Sequence, residues 1–260
     1  MSGGIPWEPS GEPPELLENE VLVWRVAIPE DAPAPELAAV LSPDERERAG
    51  RYHFARDRHR YLTVRGTLRL LLARYVDLAP ETLRFRYGPF GKPELEGCPG
   101  EIDLRFNVSH SGDLGLIALT RGRAVGVDVE QVRPELSYQE LADRYFSPAE
   151  AAAIRALPAE TRRLAFFHCW TRKEAYVKAR GDGLSRELAA FSVSVAPDEP
   201  AALLQCASAP DAPSRWSLQT LNLGPGYVGA LAVESPLRLA RCLRLPGSRP
   251  GVLPAEQRLA

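Results

Sequence analysis

Ser42-Pro43-Asp44-Glu45 and, much later in the chain, Ser147-Pro148-Ala149-Glu150 are the same helix start written twice. In each, Ser serves as N-cap, Pro fills the first helical position and Glu at the third closes a capping box. Working outward from the first copy, residues 21–26 read as a strand and residues 61–75 as a long helix with Leu62, Leu68, Leu71 and Leu72 on one face. Residues 83–87 alternate as a strand, and residues 106–109 and 114–119 form a hairpin around Ser111-Gly112-Asp113. The second copy has the same surroundings. Residues 125–130 read as a strand, 164–179 as a long helix and 191–195 as a strand. A hairpin of residues 216–221 and 227–233 turns at Gly224-Pro225-Gly226. The repeated order predicts an α+β protein of two similar halves, residues 21–123 and 124–236, with a ligand crevice between them.

The ends read differently. Residues 1–20 carry five glutamates among Pro and Gly with no Lys or Arg, and are expected to be a flexible acidic extension. Residues 237–260, with Arg238, Arg241, Arg244, Arg249 and Arg258 among prolines and glycines, are expected to be a basic tail.

Bulk properties narrow the function classes. The chain has 260 residues, 45% apolar and 25% charged, with a formal net charge of -2, so any anion site is local and a polyelectrolyte partner such as nucleic acid is not expected. No apolar run is long enough to span a bilayer, and the start lacks the basic-then-apolar pattern of a secretory signal. Cys98, Cys169, Cys206 and Cys242 are far apart with no CxxC pair, which speaks against structural zinc and disulfides and for a reduced, cytoplasmic protein. Of 32 basic residues only Lys92, Lys173 and Lys178 are lysines. In an arginine-writing sequence, a lysine marks a place where a compact point charge matters.

Four segments carry possible chemistry. In Gly126-Val127-Asp128-Val129-Glu130, a strand projects Asp128 and Glu130 from one face and buries Val127 and Val129 on the other. Adjacent carboxylates repel unless a cation lies between them, and hard oxygen ligands suit Mg²⁺; two solvated acids at a strand end remain the alternative. In the segment from Trp170 to Leu184, Trp170, Glu174 and Lys178 form one helical stripe that Gly181 terminates. It reads either as a surface Glu–Lys pair under a packed indole or as a third metal carboxylate with a cation for phosphate one turn on. Asn107-Val108-Ser109-His110-Ser111-Gly112 is a polar turn able to bind an anion, or a plain hairpin corner. Gly91-Lys92-Pro93-Glu94-Leu95 reads as a loop without P-loop spacing, and the arginine run of residues 46–60 as a solvated face with some phosphate contacts.

Taken together and in this order, G-[VI]-D-[VI]-E at residues 126–130, W-x-x-K-E-(x)₃-K at 170–178 and N-x-S-H-S at 107–111 resemble the Sfp-like 4'-phosphopantetheinyl transferases, over roughly residues 41–195. That resemblance implies two pseudo-symmetric halves in one monomer; the length departs from the holo-ACP synthase branch, which works as a trimer of single halves. It implies transfer of 4'-phosphopantetheine from coenzyme A to a serine of an acyl, peptidyl or aryl carrier protein. Asp128, Glu130 and Glu174 would hold Mg²⁺ with the diphosphate. Glu174 would deprotonate the carrier serine, directly or through a water, and Lys178 would stabilise the leaving 3',5'-ADP. Ser109 and His110 would contact the nucleotide, His110 at its 3'-phosphate. Lys92 and Pro93 would line the nucleotide pocket, with Arg48 and Arg60 as further phosphate contacts. Glu45 departs from members that carry a basic residue there, which leaves fewer charges for the 3'-phosphate. A nucleotide-diphosphate hydrolase would use the same carboxylates with water as nucleophile, and a non-catalytic coenzyme A binder would share the crevice. A carrier requirement separates the first, and indifference of binding to Glu174→Gln the second.

Overall fold

Both Ser-Pro motifs start helices, and in both the glutamate reaches back to the cap: Ser42 N–H donates to Glu45 at 3.0 Å and Ser147 N–H to Glu150 at 2.9 Å. The computed structural model describes residues 6–30, 33–97, 103–181, 188–235, 237 and 239–245. Within the first half the elements are β2 (Glu20–Ala27), α1 (Pro35–Ala39), α2 (Pro43–Gly50), α3 (Ala55–Val76), β3 (Arg84–Tyr87), β4 (Pro93–Glu96), β5 (Leu104–Ser111) and β6 (Leu114–Arg121), preceded by β1 (Trp7–Pro9). The second half repeats that order with β7 (Val125–Gln131), α4 (Tyr138–Tyr145), α5 (Pro148–Ala156), α6 (Ala159–Arg180), β8 (Phe191–Val193) and β9 (Leu203–Cys206). It continues through α7 (Ala212–Arg215), β10 (Trp216–Leu221) and β11 (Tyr227–Glu234), and β12 (Leu239–Arg244) closes the described chain.

The first sheet has the order β1-β12-β2-β6-β5 and the second β10-β11-β7. Each long helix covers the outer face of its own sheet. Leu68, Leu71 and Leu72 of α3 pack with Trp24, Phe106 and Ile117, while Phe167, Ala175 and Tyr176 of α6 pack with Ala230 and Ala232. The inner faces meet each other: Val21 and Val23 of β2 and Leu116 of β6 share one apolar cluster with Val125, Val127 and Val129 of β7. The layering helix–sheet–sheet–helix follows from the period-two burial of these strands.

The structure corrects both ends. From residue 6 on, the chain before β2 is tied down: β1 pairs in parallel with β12, and Leu16 is buried. The expected basic tail contains β12, which lies between β1 and β2 with Ala240, Cys242 and Leu243 buried. Its arginines hid the strand in the sequence. Arg241, which read as a solvated charge, approaches Glu8 at 3.3 Å and Glu20 at 3.9 Å. The second half therefore returns a strand to the first sheet, so neither half ends at its sequence boundary. Arg238, Arg249 and Arg258 lie outside the described residues, as do Cys98 and residues 182–187. The segment Gly91 to Leu95, expected as a loop, runs from Pro93 into β4, which pairs with β3. The segment read as a turn at 109–111 is the end of β5, and the turn itself is Gly112-Asp113.

Candidate active site

Strand β7 and helix α6 build the site through a glycine. The even positions of β7 face α6, and a Cβ on Gly126 would collide with the Ala175 carbonyl oxygen and the Ala179 amide. Only glycine lets the helix press this close. The next two even residues, Asp128 and Glu130, then meet the α6 stripe at Glu174 and Lys178. Lys178 Nζ lies 2.6 Å from Asp128 Oδ1 and 2.9 Å from Ser109 Oγ. Trp170 anchors the other end of the stripe, within 6.2 Å of the rings of Tyr145, Phe146 and Phe166.

The electrostatics are those of acids crowded without enough positive charge. Burial, then Asp128 and Glu130, push Glu174 up to about 7, with Lys178 opposing. Burial and Asp128 likewise raise Glu130, against the hydrogen bond from Ser111. Asp128 Oδ2 and Glu174 Oε1 are buried without a hydrogen-bond partner among the described residues. Unsatisfied buried carboxylate oxygens beside a third acid are the donor set that a hard divalent cation fits. Among the described residues no three His, Cys, Asp or Glu side chains already form a closed cation cage. Lys178 stands against Asp128 where such a charge would share the carboxylate.

From the first half, β5 supplies a wall with two different faces. Asn107, Ser109 and Ser111 point to β7. Ser109 Oγ donates to Asp128 at 2.9 Å and Ser111 Oγ to Glu130 at 2.8 Å. His110 points the other way, toward the start of α3. The surrounding protein, then Lys178 and Arg60, keep its imidazole below the ordinary value, with Asp57 opposing. Arg60 reaches Asp57 at 3.3 Å and Asp113 at 3.7 Å. Arg48 is exposed on α2 and lies over the Tyr61 ring, 5.5 Å from its centroid.

Lys92 directs its ammonium to backbone carbonyls. Its Nζ donates to Val125 O at 3.1 Å and Ala179 O at 2.8 Å, joining β4 to the start of β7 and the end of α6, and burial lowers it to about 8. With Pro93 it does line a cavity of about 540 Å³, together with Arg86, Arg105 and Arg180. A second cavity of about 470 Å³ is lined by Arg56, His59, Arg60, Asp113 and Gln131. The two lie at opposite ends of β7, near Val125 and near Gln131, with the carboxylates between them.

Glu45 is occupied rather than vacant. It is buried between Arg65 and Arg69 of α3, each at 2.5 Å, and these arginines with Ser42 hold its carboxyl below the usual range against the cost of burial. It is therefore a neutralised structural charge, not a repulsive one facing a phosphate. Sequence reading missed this pair and the buried Lys173–Glu150 pair, 2.8 Å apart. It also missed Ser111 and the work of Asn107. The signal was available in N-x-S-x-S, which in a strand puts three hydrogen-bonding side chains on one face.

A carboxylate cluster with an ammonium one helical turn on, in a crevice with room at both ends, marks an enzyme that works at a phosphate. Comparison with known proteins narrows that class. The family described as the 4'-phosphopantetheinyl transferase superfamily matches residues 124–232, and that described as 4'-phosphopantetheinyl transferase, N-terminal, matches residues 28–121. The 4'-phosphopantetheinyl transferase HetI of Nostoc sp. is 40% identical over 228 residues, covering 87% of this chain and 93% of that protein. The 4'-phosphopantetheinyl transferase Sfp of Bacillus subtilis is 32% identical over 196 residues, covering 75% of this chain and 83% of that protein. This chain belongs to the 4'-phosphopantetheinyl transferase superfamily and is Sfp-like, an enzyme that transfers phosphopantetheine from coenzyme A to carrier proteins.

Proposed function

We propose that Asp128, Glu130 and Glu174 are the ligands of a Mg²⁺ ion and that Glu174 and Lys178 are the catalytic pair of the transfer. The observation that carries this reading is the convergence of three carboxylates and one ammonium from β7 and α6, with Asp128 Oδ2 and Glu174 Oε1 left unsatisfied. The bound cation supplies charge neutralisation of the diphosphate. The remaining work falls to the chain. Glu174 accepts the proton of the carrier serine, directly or through a water. The serine oxygen bonds to the β-phosphorus, the bond from that phosphorus to the bridging oxygen breaks, and 3',5'-ADP leaves with the electron pair. Lys178 balances charge on the departing phosphate.

Arg60 brings positive charge beside the His110 imidazole, which supports a phosphate contact there. Arg48 is a further phosphate contact, and Ser109, whose hydroxyl is engaged by Asp128, Lys178 and Val129, a nucleotide contact through its backbone. The cavity bearing Lys92 and Pro93 takes the adenine. The cavity at Gln131 adjoins those phosphate contacts, with Arg56, His59 and Arg60 on its wall. Both halves of the site come from one chain, so the enzyme works as a monomer, in the cytoplasm. No helix among the described residues is long and apolar enough to cross a membrane.

The test is intact mass measurement of a panel of apo carriers after incubation with coenzyme A and Mg²⁺. One phosphopantetheine is expected per carrier, lost with EDTA and with Asp128→Ala. Undiminished transfer in either control would remove the metal assignment. Consumption of coenzyme A without any carrier would make the enzyme a hydrolase.

A further inference from the structure

The free edge of β7 is closed by side chains rather than by a strand. On one side β7 pairs with β11 through a backbone ladder. On the other, the N–H groups of Val127, Val129 and Gln131 point to β5 and find side chains there. Val127 N–H donates to Asn107 Oδ1 at 2.9 Å, Val129 N–H to Ser109 Oγ at 3.4 Å and Gln131 N–H to Ser111 Oγ at 3.1 Å. An edge strand needs partners for these amides. The two upper rungs do more. Each serine oxygen that accepts a backbone N–H of β7 spends its own proton on the carboxylate next door: Ser109 on Asp128, Ser111 on Glu130. A hydroxyl has one proton, and accepting the amide fixes where it goes.

We propose that Ser111 is a positioning residue that aims Glu130 at the divalent cation. Its hydroxyl is locked by Gln131 N–H and holds one carboxylate oxygen, so that the other is presented to the ion. Ser109 does the same for Asp128 and also accepts from Lys178. The first half, which contributes no carboxylate to the cluster, thereby sets the geometry of the ligands on the second. The inference rests on the reading of Asp128 and Glu130 as cation ligands. Groups that hydrogen-bond a metal-ligating carboxylate change affinity about 10–100-fold when removed.

The experiment is Mn²⁺ titration of the full chain without coenzyme A, followed by the electron paramagnetic resonance of free Mn²⁺, for the parent, Ser111→Ala, Ser111→Thr and Glu130→Gln. Ser111→Ala is expected to bind about tenfold more weakly, and Ser111→Thr, which keeps the hydroxyl, to bind within about threefold of the parent. If Ser111→Ala binds like the parent while Glu130→Gln does not, the positioning role is overturned and the ligand reading stands. If Ser111→Thr is as weak as Ser111→Ala, packing rather than the hydroxyl is responsible and the proposal also falls. If the parent and Glu130→Gln bind alike, the ligand reading of Glu130 fails and takes the proposal with it. Should Ser111→Ala not fold, Ser111→Cys carries the test. Its near-isosteric thiol is a weak donor and must weaken Mn²⁺ several-fold at an unchanged melting temperature; parent-like affinity would overturn the proposal.

Discussion

The strands that open the two repeats, β2 in the first half and β7 in the second, occupy the same place in the repeat and have opposite chemistry. β2 reads Glu-Val-Leu-Val-Trp-Arg-Val-Ala, is paired by backbone on both edges to β6 and β12, and is buried almost throughout. β7 reads Val-Gly-Val-Asp-Val-Glu-Gln, has one backbone partner and is closed on its other edge by three side chains. Full pairing makes β2 a core strand. Incomplete pairing leaves β7 on the seam between the halves, where its carboxylates meet the serines of β5 and the ammonium of α6. The halves share their scaffold more closely. In each, the capping-box glutamate is buried and paired with the long helix, Glu45 with Arg65 and Arg69, Glu150 with Lys173. The repeat thus conserves the pair that holds the helix in place and varies the strand that carries chemistry.

If that division is real, the site is separable from the fold. Glu174→Gln removes a carboxylate that burial and two neighbouring acids hold at about 7 and whose Oε1 has no partner. Transfer activity is expected to fall on the order of 10³-fold or more, as for loss of a general base that also binds the metal. The melting temperature in EDTA at pH 8 is expected to match or exceed that of the parent, because repulsion is relieved. A melting temperature lowered by many degrees would mean that chemistry and scaffold are not divided in this way.

The buried pairs are expected to behave in the reverse sense. Lys173 also donates to Leu188 O at 2.7 Å and Phe191 O at 2.6 Å, so Lys173→Met strands Glu150 and frees two carbonyls at once. Leaving a buried charge without its partner costs about 3–5 kcal/mol. Urea unfolding should show that loss, with a matching one for Glu45→Gln, which strands two arginines. A small loss at Glu45 and a large one at Glu150 would show that only the second half depends on this device. Replacing Glu150 and Lys173 together by Gln and Met should recover part of the loss, since the double change leaves no uncompensated ion.

The repeat was legible because capping boxes and strand alternation are local signals, and so was the carboxylate set, because strand and helix periodicity place Asp128, Glu130, Glu174 and Lys178 on defined faces. What was not legible depends on neighbours distant in sequence. No local pattern says that residues 239–244 cross back to sit between β1 and β2, since their burial depends on a partner more than two hundred residues earlier. Nor does the Lys92 segment announce that its ammonium ends on the carbonyls of Val125 and Ala179. The lysine count was a better guide than any segment around those residues: Lys92, Lys173 and Lys178 all bond at junctions between elements, where arginine's wide fork does not substitute for one compact charge.

The smallest of the expected differences is in acid. The only histidine in the buried core of the described residues is His168 on α6; α3 has none. Burial, then the nearby Arg172, lower its imidazole to about 4, and its Nδ1 has no partner. A histidine whose folded pKa lies below the unfolded one contributes full stability above about pH 6.5 and loses it as pH falls toward 4, because the unfolded chain takes the proton first. Between pH 7.5 and pH 5 that amounts to about 2 kcal/mol. Glu174 and Glu130, both raised, act in the opposite direction over part of the same range in metal-free protein, so the sum hides the effect. Comparing the parent with His168→Gln isolates it. The variant should gain on the parent by about 2 kcal/mol on going from pH 7.5 to pH 5 in urea titrations. Equal pH dependence in the two proteins would show that the imidazole takes up its proton at the same pH folded as unfolded, and would leave the acid sensitivity of the second half to its carboxylates.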